Sequence, residues 1–229
     1  MPPSEADVRR ALAPVTDPEL DQSILELGFV HAITIDGGTV TIGFRLPTFW
    51  CSANFAFIMA EDMRDALKAV PGIDHVRIRL EDHFAAAKIN AGIEEGRGFR
   101  AVFGNEAADD LQAVRRTFEE KARLGRQAAL IRELRDQGWP DSRIVGLTRA
   151  ELDDLPPSEA RDRYRAILEP ETPPEAPAIT DTNGQPVPST ALADHLRTIR
   201  RIRTSAEANG EMCRILLKAR YAREEERGG

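Results

Sequence analysis

The chain has 229 residues and a net charge of −7, and 41% of its residues are hydrophobic. This length allows one or two domains with an ordinary core, and no run of about 18 apolar residues is present that would span a membrane. The acidic balance argues against wholesale nucleic-acid binding, and two cysteines exclude a disulfide framework. Because the N-terminus also lacks signal-peptide features, we expect a cytoplasmic protein.

The N-terminal segment predicts a short helix followed by an irregular turn. Ser4 and Asp7 have the spacing of a capping box, and the apolar residues Val8, Ala11 and Leu12 follow on one helical face. A new helical element is predicted to start at Asp17-Pro18-Glu19-Leu20, because aspartate caps helices and proline suits a first helical position. Residues 23–28 then indicate a brief helical turn that ends at a glycine.

Three strands and one longer helix are predicted next. Residues 29–35 and 39–46 alternate apolar and polar side chains, and Asp36-Gly37-Gly38 between them suits a tight hairpin turn. A helical pattern covers residues 52–70, and a third alternating strand covers residues 76–80. The predicted fold class is α+β: a small three-stranded sheet with packed helices, followed by a mostly α-helical extension.

A cysteine stands where the second strand gives way to the helix. Cys51 therefore lies at or beside a helix N-terminus, with Ser52 or Thr48 as candidate caps. Unpaired N–H groups and the helix dipole favour a thiolate there, and a thiolate binds metals or attacks electrophiles. The alternative is that Cys51 is a small buried apolar residue, as most lone cysteines are.

The order and spacing of these features over residues 5–82 resemble the SufT/PaaD-like metal–sulfur (iron–sulfur) cluster assembly domain family. The features that carry the resemblance are Asp17-Pro18-Glu19-Leu20, residues 23–28, the Asp36-Gly37-Gly38 hairpin, the strand that runs into Cys51, and Val70-Pro71-Gly72-Ile73. The resemblance implies a non-catalytic factor for iron–sulfur cluster assembly or metalloenzyme maturation, with Cys51 as its reactive or metal-binding thiol.

Three further residues are candidate neighbours of that thiol. Asp17 and Glu26 match acidic positions of the family motif, and helix capping and solvation are the alternative roles for both. His83 follows the third strand and could reach a metal beside Cys51, with an exposed polar role as the alternative. These residues form a candidate metal site whose assembly depends on the fold.

The loop before Cys51 departs from the family pattern. Family members carry a threonine early in the loop and a proline directly after the cysteine, whereas Pro47 and Ser52 stand at those places. Phe49 and Trp50 add bulk and are candidate partner-binding residues. Stable ligation of a cluster uses four thiolates or substitutes, which Cys51 and Cys213 cannot supply. We therefore expect no permanently held cofactor, and iron or a cluster would be carried transiently or shared, for example in a homodimer.

The rest of the chain is predicted to divide into four parts. Residues 83–104 are punctuated by glycines and predict a hinge or an irregular lid, and residues 105–168 predict a helical region. That region begins with a long helix from Asn105 to Arg135, perhaps broken near Gly125. Residues 169–189 contain six prolines and predict an extended linker or a segment wrapped over a partner.

The last part, residues 190–229, predicts an amphipathic helical arm with a break at Asn209-Gly210. Its apolar stripe is a candidate partner-binding face formed by Leu192, Leu196, Ile199 and Ile202. From residue 192 onward the arm has nine Lys/Arg against six Asp/Glu, while residues 1–90 have eight against thirteen. The arm could therefore fold back on the acidic domain or lie in a groove of another protein.

Alternative functions follow from other parts of the sequence. PaaD-like domains accompany binuclear-iron multicomponent monooxygenases, so an assembly chaperone or structural partner of such an enzyme is one alternative. Residues 129–145 have the sequence pattern of a DNA-binding helix-turn-helix. The acidic residues that follow at 151–154 would, however, repel the phosphates of DNA. A thiol enzyme is disfavoured because no base is placed convincingly beside a cysteine.

Overall fold

The computed structural model describes residues 3–104 and 111–228, apart from the side chains of 205–207 and 223–228. The chain forms two compact units. Unit 1 comprises Met1–Arg115 and Glu207–Gly229, and unit 2 comprises Arg116–Ala206. The predicted helix start at Asn105 lies outside the described residues. Among the helices that the structure describes, none has the length and apolar content needed to cross a bilayer.

Unit 1 is built on a three-stranded sheet in the order β3-β4-β5, and a short hairpin lies before it. Strands β3 (Val30–Asp36) and β4 (Thr39–Arg45) are antiparallel, and β5 (His75–Glu81) pairs in parallel with β4. Helix α1 (Glu5–Leu12) begins at the predicted Ser4–Asp7 capping box, and β1 (Thr16–Asp17) pairs with β2 (Gln22–Ser23). Helix α2 (Ala53–Lys68) connects β4 to β5, as parallel strands require. The predicted α+β class is confirmed.

The core of unit 1 lies between the sheet and its helices. Strand β4 is central and buries alternate side chains, while α2 contributes an apolar face. The largest fully buried side chains are Phe29, Phe44, Phe57, Leu12, Ile24, Ile42, Leu46, Ile58, Met59, Met63 and Leu67. This packing fixes the strand-to-helix junction at which Cys51 lies.

Residues 83–104 are not the hinge or irregular lid that their glycines suggest. They form helices α3 (Ala86–Glu94) and α4 (Phe99–Phe103), which bury Ile89, Ile93, Phe99 and Phe103 in the core of unit 1. A Cβ on Gly92 would stand 2.3 Å from Val102 Cγ2, so this glycine allows close helix packing. Gly96 and Gly104 take positive φ where the helices end. The glycines therefore serve packing and helix termination.

The last segment of helix α9 (Leu192–Gly228) packs within unit 1. Leu217 is buried in its core, and Arg220 donates to the Leu46 carbonyl over 2.7 Å and to the Asp82 carbonyl over 2.8 Å. The predicted break at Asn209-Gly210 is wrong, since α9 continues through it. Gly210 is buried beside Leu20, and a Cβ there would stand 3.5 Å from Leu20 Cδ2, an ordinary van der Waals distance.

Unit 2 consists of helices around a core of its own. Its helices are the later part of α5 (Leu111–Asp136), α6 (Asp141–Val145), α7 (Arg149–Asp154), α8 (Glu159–Ile167) and the earlier part of α9, which follows a 3-10 turn at Ser189–Ala191. Helix α5 runs through Gly125 without the predicted break, and the Arg203 side chain packs over that glycine. The second helix of the suggested helix-turn-helix is only α6, five residues long.

The proline-rich residues 169–189 are part of the core of unit 2 and not an extended linker. Ala178, Ile179 and Val187 are buried there, and Ala178 donates its N–H to the Leu147 carbonyl over 2.8 Å. A buried glutamine on α5 pairs with the segment in both directions: Gln127 Nε2 donates to the Thr180 carbonyl and Gln127 Oε1 accepts from the Thr180 N–H. These bonds replace the regular backbone pairing that proline prevents.

The predicted partner-binding stripe of the arm is also largely internal. Leu192 and Ile199 are buried in unit 2, and Leu196 and Ile202 pack against the same clusters. Their partner is α5, whose Leu124 and Ala128 face Ile199. The helical spacing of the four residues thus reflects packing within the chain, and their assignment to partner binding is corrected.

Candidate functional site

Cys51 lies directly before the first turn of α2, as its position between strand and helix predicts. Ser52 occupies the N-cap position without a side-chain hydrogen bond to the helix. Cys51 Sγ is 3.2 Å from Thr48 Oγ1, and the half-buried side chain packs against the core of unit 1. Thr48 therefore contacts the sulfur and does not cap the helix. The thiol is thus partly exposed, and its position is set by one hydroxyl and by apolar packing.

His83 contacts Cys51 through the backbone and not through the sulfur. Its Nε2 is 2.8 Å from the Cys51 carbonyl oxygen, and its Nδ1 accepts from the Ala85 N–H over 3.2 Å. Because Nδ1 is an acceptor, the neutral ring carries its proton on Nε2 and donates it to the carbonyl. The side chain is buried, and burial lowers its pKa below the ordinary 6.5. Both ring nitrogens are thus occupied, so His83 positions the Cys51 backbone and has no free nitrogen for a metal.

An exposed group of three aromatic rings borders Cys51, and we call Phe49, Trp50 and Phe84 the aromatic patch. Their side chains are 40%, 76% and 50% exposed. The ring centroids of Trp50 and Phe84 are 5.8 Å apart in a stacked arrangement, and Phe49 meets Trp50 edge to face at 4.9 Å. Contiguous exposed apolar surface of this kind is typical of interaction sites. The sequence analysis did not predict Phe84 as a partner-binding residue. Its position just after the polar residues that end β5 could have indicated an exposed aromatic side chain.

Asp17 is buried, and its side chain is committed to its own turn. Its Oδ1 accepts the N–H groups of Glu19 and Leu20, each over 2.9 Å. Burial raises the pKa of Asp17 to about 6 against the lowering effect of those two bonds, and the nearby charge of Glu19 raises it further. The predicted helix start at Asp17 is wrong, because residues 18–21 form a turn between β1 and β2, and the carboxylate caps that turn and not a helix.

Glu26 stands apart from this group. Its side chain is exposed, and among the residues that the structure describes no contact joins it to Cys51 or Asp17. Its predicted place beside the thiol is not seen, because the turn at residues 24–28 directs Ile24 and Leu27 into the core and leaves Glu26 facing outward.

Cys213 was not predicted as a site residue, but α9 brings it to this region. The half-buried Cys213 packs against the core of unit 1 as Cys51 does. Burial raises the pKa of the Cys213 thiol to about 11, and the charges of Asp17, Cys51 and Glu19 raise it further. Its neighbours on α9 contact the β1–β2 hairpin that carries Asp17: Gly210 packs against Leu20, and Arg214 donates to Gln22 Oε1 over 2.7 Å. Only the folded position of α9 could reveal this, since Cys213 is remote from Cys51 in sequence.

Among the side chains that the structure describes, no three His, Cys, Asp or Glu residues are grouped as a ready metal site. The arrangement instead offers one hydroxyl-bonded thiol, a second thiol on α9, a buried carboxylate and a bordering aromatic surface. A thiolate is a soft ligand for a metal ion, and exposed aromatic surface is typical of protein–protein contacts.

Comparison with known proteins assigns the first domain. Residues 5–80 match the model of the family described as iron-sulfur cluster assembly protein. An iron-sulfur cluster carrier protein of Synechocystis sp. is 38% identical over 73 residues, which are 32% of this chain and 20% of that protein. An uncharacterised protein of Methanocaldococcus jannaschii is 28% identical over 93 residues, 40% of this chain and 96% of its own length.

These matches confirm the resemblance: residues 5–80 are an iron–sulfur cluster assembly domain of the SufT/PaaD-like kind. The chain spans only a fifth of the length of the Synechocystis carrier protein. The family model ends at residue 80, before α3, unit 2 and the α9 segment that carries Cys213.

Proposed function

We propose that this protein is a non-catalytic factor of iron–sulfur cluster assembly or of iron-site maturation in a metalloenzyme. In this proposal Cys51 is the thiol that receives and passes on the metal cargo. The observation that carries the proposal is the aromatic patch beside Cys51, in a domain of the cluster assembly family. A thiol next to an exposed apolar surface is suited to handing an ion or cluster directly to a docked client.

The cargo is held transiently in this proposal. A stable cluster takes four thiolates or substitutes, and the chain has two cysteines. The missing ligands would come from a client or a second copy, which makes release part of docking. The structural role of His83 supports this view, because holding the Cys51 carbonyl fixes the thiol's position without adding a strong ligand.

Anaerobic reconstitution with iron and sulfide tests the role of Cys51. The wild-type protein is expected to acquire visible absorbance and to transfer the cluster to an apo-ferredoxin, and Cys51→Ser is expected to lose both. His75→Ala, an exposed substitution on the same domain, is the matched control. Wild-type absorbance that persists in full in Cys51→Ser would refute the assignment.

The docking role of the aromatic patch needs a separate experiment. Trp50→Ser and Phe84→Ser are expected to slow cluster transfer to the acceptor at least tenfold while cluster loading stays normal, because they remove contact area and not ligands. Ile215→Ser removes an exposed side chain outside the patch and serves as the control. Equal transfer rates in all four proteins would exclude the patch as the docking surface.

The identity of the client can be sought by capture from native lysate. Recovery of iron–sulfur assembly proteins or their apo-clients, dependent on the aromatic patch, would support the main proposal. Recovery of a binuclear-iron hydroxylase subunit that is indifferent to Cys51→Ser would favour the alternative, an assembly partner of a multicomponent monooxygenase.

A further inference from the structure

Two loops carry the aromatic patch, and each follows one of two neighbouring strands. The β4 loop, residues 46–51, contains Phe49, Trp50 and Cys51, and the β5 loop, residues 82–85, contains Phe84. Because β4 and β5 are parallel, both loops leave the same edge of the sheet. The position of one loop relative to the other therefore decides whether the three rings form one surface.

The two loops contact each other directly at two points. Phe84 donates its N–H to the Phe49 carbonyl over 3.2 Å, and His83 Nε2 lies 2.8 Å from the Cys51 carbonyl oxygen. Asp82 begins the β5 loop with a φ of 51°, in the left-handed region that aspartate tolerates better than most residues. This residue ends β5 and starts the turn that brings the next two side chains to the β4 loop.

A third connection between the loops comes from α9, which is remote from both in sequence. The Arg220 guanidinium donates through Nη1 to the Leu46 carbonyl over 2.7 Å and through Nη2 to the Asp82 carbonyl over 2.8 Å. It also pairs with the Asp82 carboxylate, and only 16% of the Arg220 side chain is exposed. Leu46 and Asp82 are the first residues of the two loops. One planar, permanently charged group therefore joins the bases of both loops.

The neighbours of Arg220 on α9 hold the helix in the orientation that directs this side chain to the loops. Tyr221 donates to the Gly28 carbonyl over 3.2 Å, and the Arg45 guanidinium carbon lies 5.7 Å from the centroid of the Tyr221 ring. Leu217, about one turn earlier, is buried in the core of unit 1. Arg220 thus extends from a docked helix, which gives its bridge a fixed origin.

We propose that Arg220 is a positioning residue for client docking, because its bridge between the two loops holds the aromatic patch as one surface beside Cys51. This inference rests on the proposed function, in which the patch docks the client. The family model ends at residue 80, so the β5 loop and α9 both lie beyond the matched region. The docking surface is therefore completed by residues that the assembly domain alone does not contain.

Cluster transfer to apo-ferredoxin, measured over a range of acceptor concentrations, tests the inference. In Arg220→Ala, the acceptor concentration that gives half the maximal rate is expected to rise at least ~5-fold, with the maximal rate unchanged, because acceptor binding alone is weakened. Cluster loading should stay at the wild-type level, since no ligand is removed. Lys218→Ala removes an exposed positive charge two residues away on α9 and is the matched control.

Trp50 reports on the geometry of the patch, in a Trp139→Phe background that leaves it as the only tryptophan. Trp50 stacks on Phe84 with ring centroids 5.8 Å apart, so loss of the bridge should increase acrylamide quenching of Trp50 in the folded protein. Lower global stability alone would not change this native-state signal. Arg220→Lys keeps the charge without the forked donor group, and it should restore only part of the wild-type quenching and transfer.

The outcomes separate this inference from the proposed function. An unchanged half-saturating acceptor concentration in Arg220→Ala would overturn the inference, and slow transfer by Trp50→Ser would still leave the patch as the docking surface. Full restoration by Arg220→Lys would also contradict it, because a bridge between two carbonyls would not be needed. Reduced cluster loading in Arg220→Ala would place the effect on the thiol and not on docking. If the proposed function itself fails, transfer is insensitive to Trp50→Ser as well.

Discussion

His83 holds the backbone of Cys51 through a hydrogen bond of 2.8 Å from Nε2 to the carbonyl oxygen. His83→Ala is expected to lower the free energy of unfolding by about 2 kcal/mol, because it leaves a carbonyl and the Ala85 N–H without their partner. His83→Gln retains a donor near Nε2 and should recover part of the loss. Urea unfolding measures both, and the exposed His75→Ala should be neutral. A neutral His83→Ala would show that the bond does not position the junction.

The same histidine predicts a pH effect. Burial lowers the pKa of His83 in the folded state, so the unfolded chain binds a proton first as pH falls. The stability contributed by the neutral ring is present above the ordinary pKa of 6.5 and decreases as pH falls below it. Between pH 7.5 and pH 5, the urea midpoint of the wild type should therefore fall relative to that of His83→Gln, in which Asp17 is unchanged. Identical pH profiles would contradict the assigned burial effect.

For Asp17 we expect a pH dependence of folding stability in the opposite direction. Its pKa is raised from 3.8 to about 6, so the folded state holds a proton that the unfolded state has released. The contribution of Asp17 to folding stability is therefore greatest below pH 4 and decreases as pH rises through 6, by about 3 kcal/mol in all. Asp17→Asn keeps an oxygen for the two N–H groups and removes the charge. It should stabilise the protein at pH 8 by up to that amount, with no difference at pH 4.

The matched control for Asp17→Asn is Glu26→Gln, which neutralises an exposed acid in the same turn region. Chemical unfolding at several pH values measures both variants. Destabilisation by Asp17→Asn at pH 8 would mean that the negative charge itself holds the turn, and the pKa of the buried acid would then lie at or below its ordinary range.

We expect Arg220 to hold the last segment of α9 against the rest of unit 1. Its guanidinium donates to the carbonyls of Leu46 and Asp82 and pairs with the Asp82 carboxylate. Arg220→Ala should weaken local docking of the helix by about 2 kcal/mol, since hydrogen bonds from a charged donor are lost. Hydrogen exchange across residues 208–222 should rise correspondingly, while the exposed Lys218→Ala should leave it unchanged. Equal protection in both variants would show that apolar contacts alone dock the helix.

The fold of the first domain was predictable because its signals are local. Alternation in β4, the Gly37-Gly38 turn and the Ser4–Asp7 capping box act over a few residues, and each appears as expected. The glycines at 92, 96 and 104 were misread as a hinge. A glycine that permits close helix packing has the same sequence signal as one in a flexible connection. Only Val102 against Gly92 distinguishes the two roles.

The site was only partly predictable, since its members come from distant parts of the chain. Cys51 followed from a strand-to-helix junction, but the role of His83 and the packing of Cys213 against unit 1 depend on contacts across long sequence separations. Leu192 and Ile199 were predicted to bind a partner protein but are buried within unit 2. An amphipathic stripe shows that a helix has an apolar face, and it does not show whether that face packs within the same chain. The burial of Ile179 was hidden by the prolines around it, which suggested a segment without a core.

That buried proline-rich segment supports a last prediction, within unit 2. Tyr164 donates to the Ala178 carbonyl over 2.6 Å, and Gln127 forms two bonds with the Thr180 backbone. Tyr164→Phe should lower the free energy of unfolding by about 1 kcal/mol. Gln127→Leu should lower it by about 3 kcal/mol, because it leaves the carbonyl and the N–H of Thr180 without their partner.

Amide exchange at Thr180 reports on the same bonds directly. It should accelerate strongly in Gln127→Leu, since its acceptor is removed, and only modestly in Tyr164→Phe. The exposed Thr182→Ala is the control and should change neither stability nor exchange. Unaltered exchange at Thr180 in Gln127→Leu would mean that the buried apolar side chains of the segment hold it in place without the glutamine.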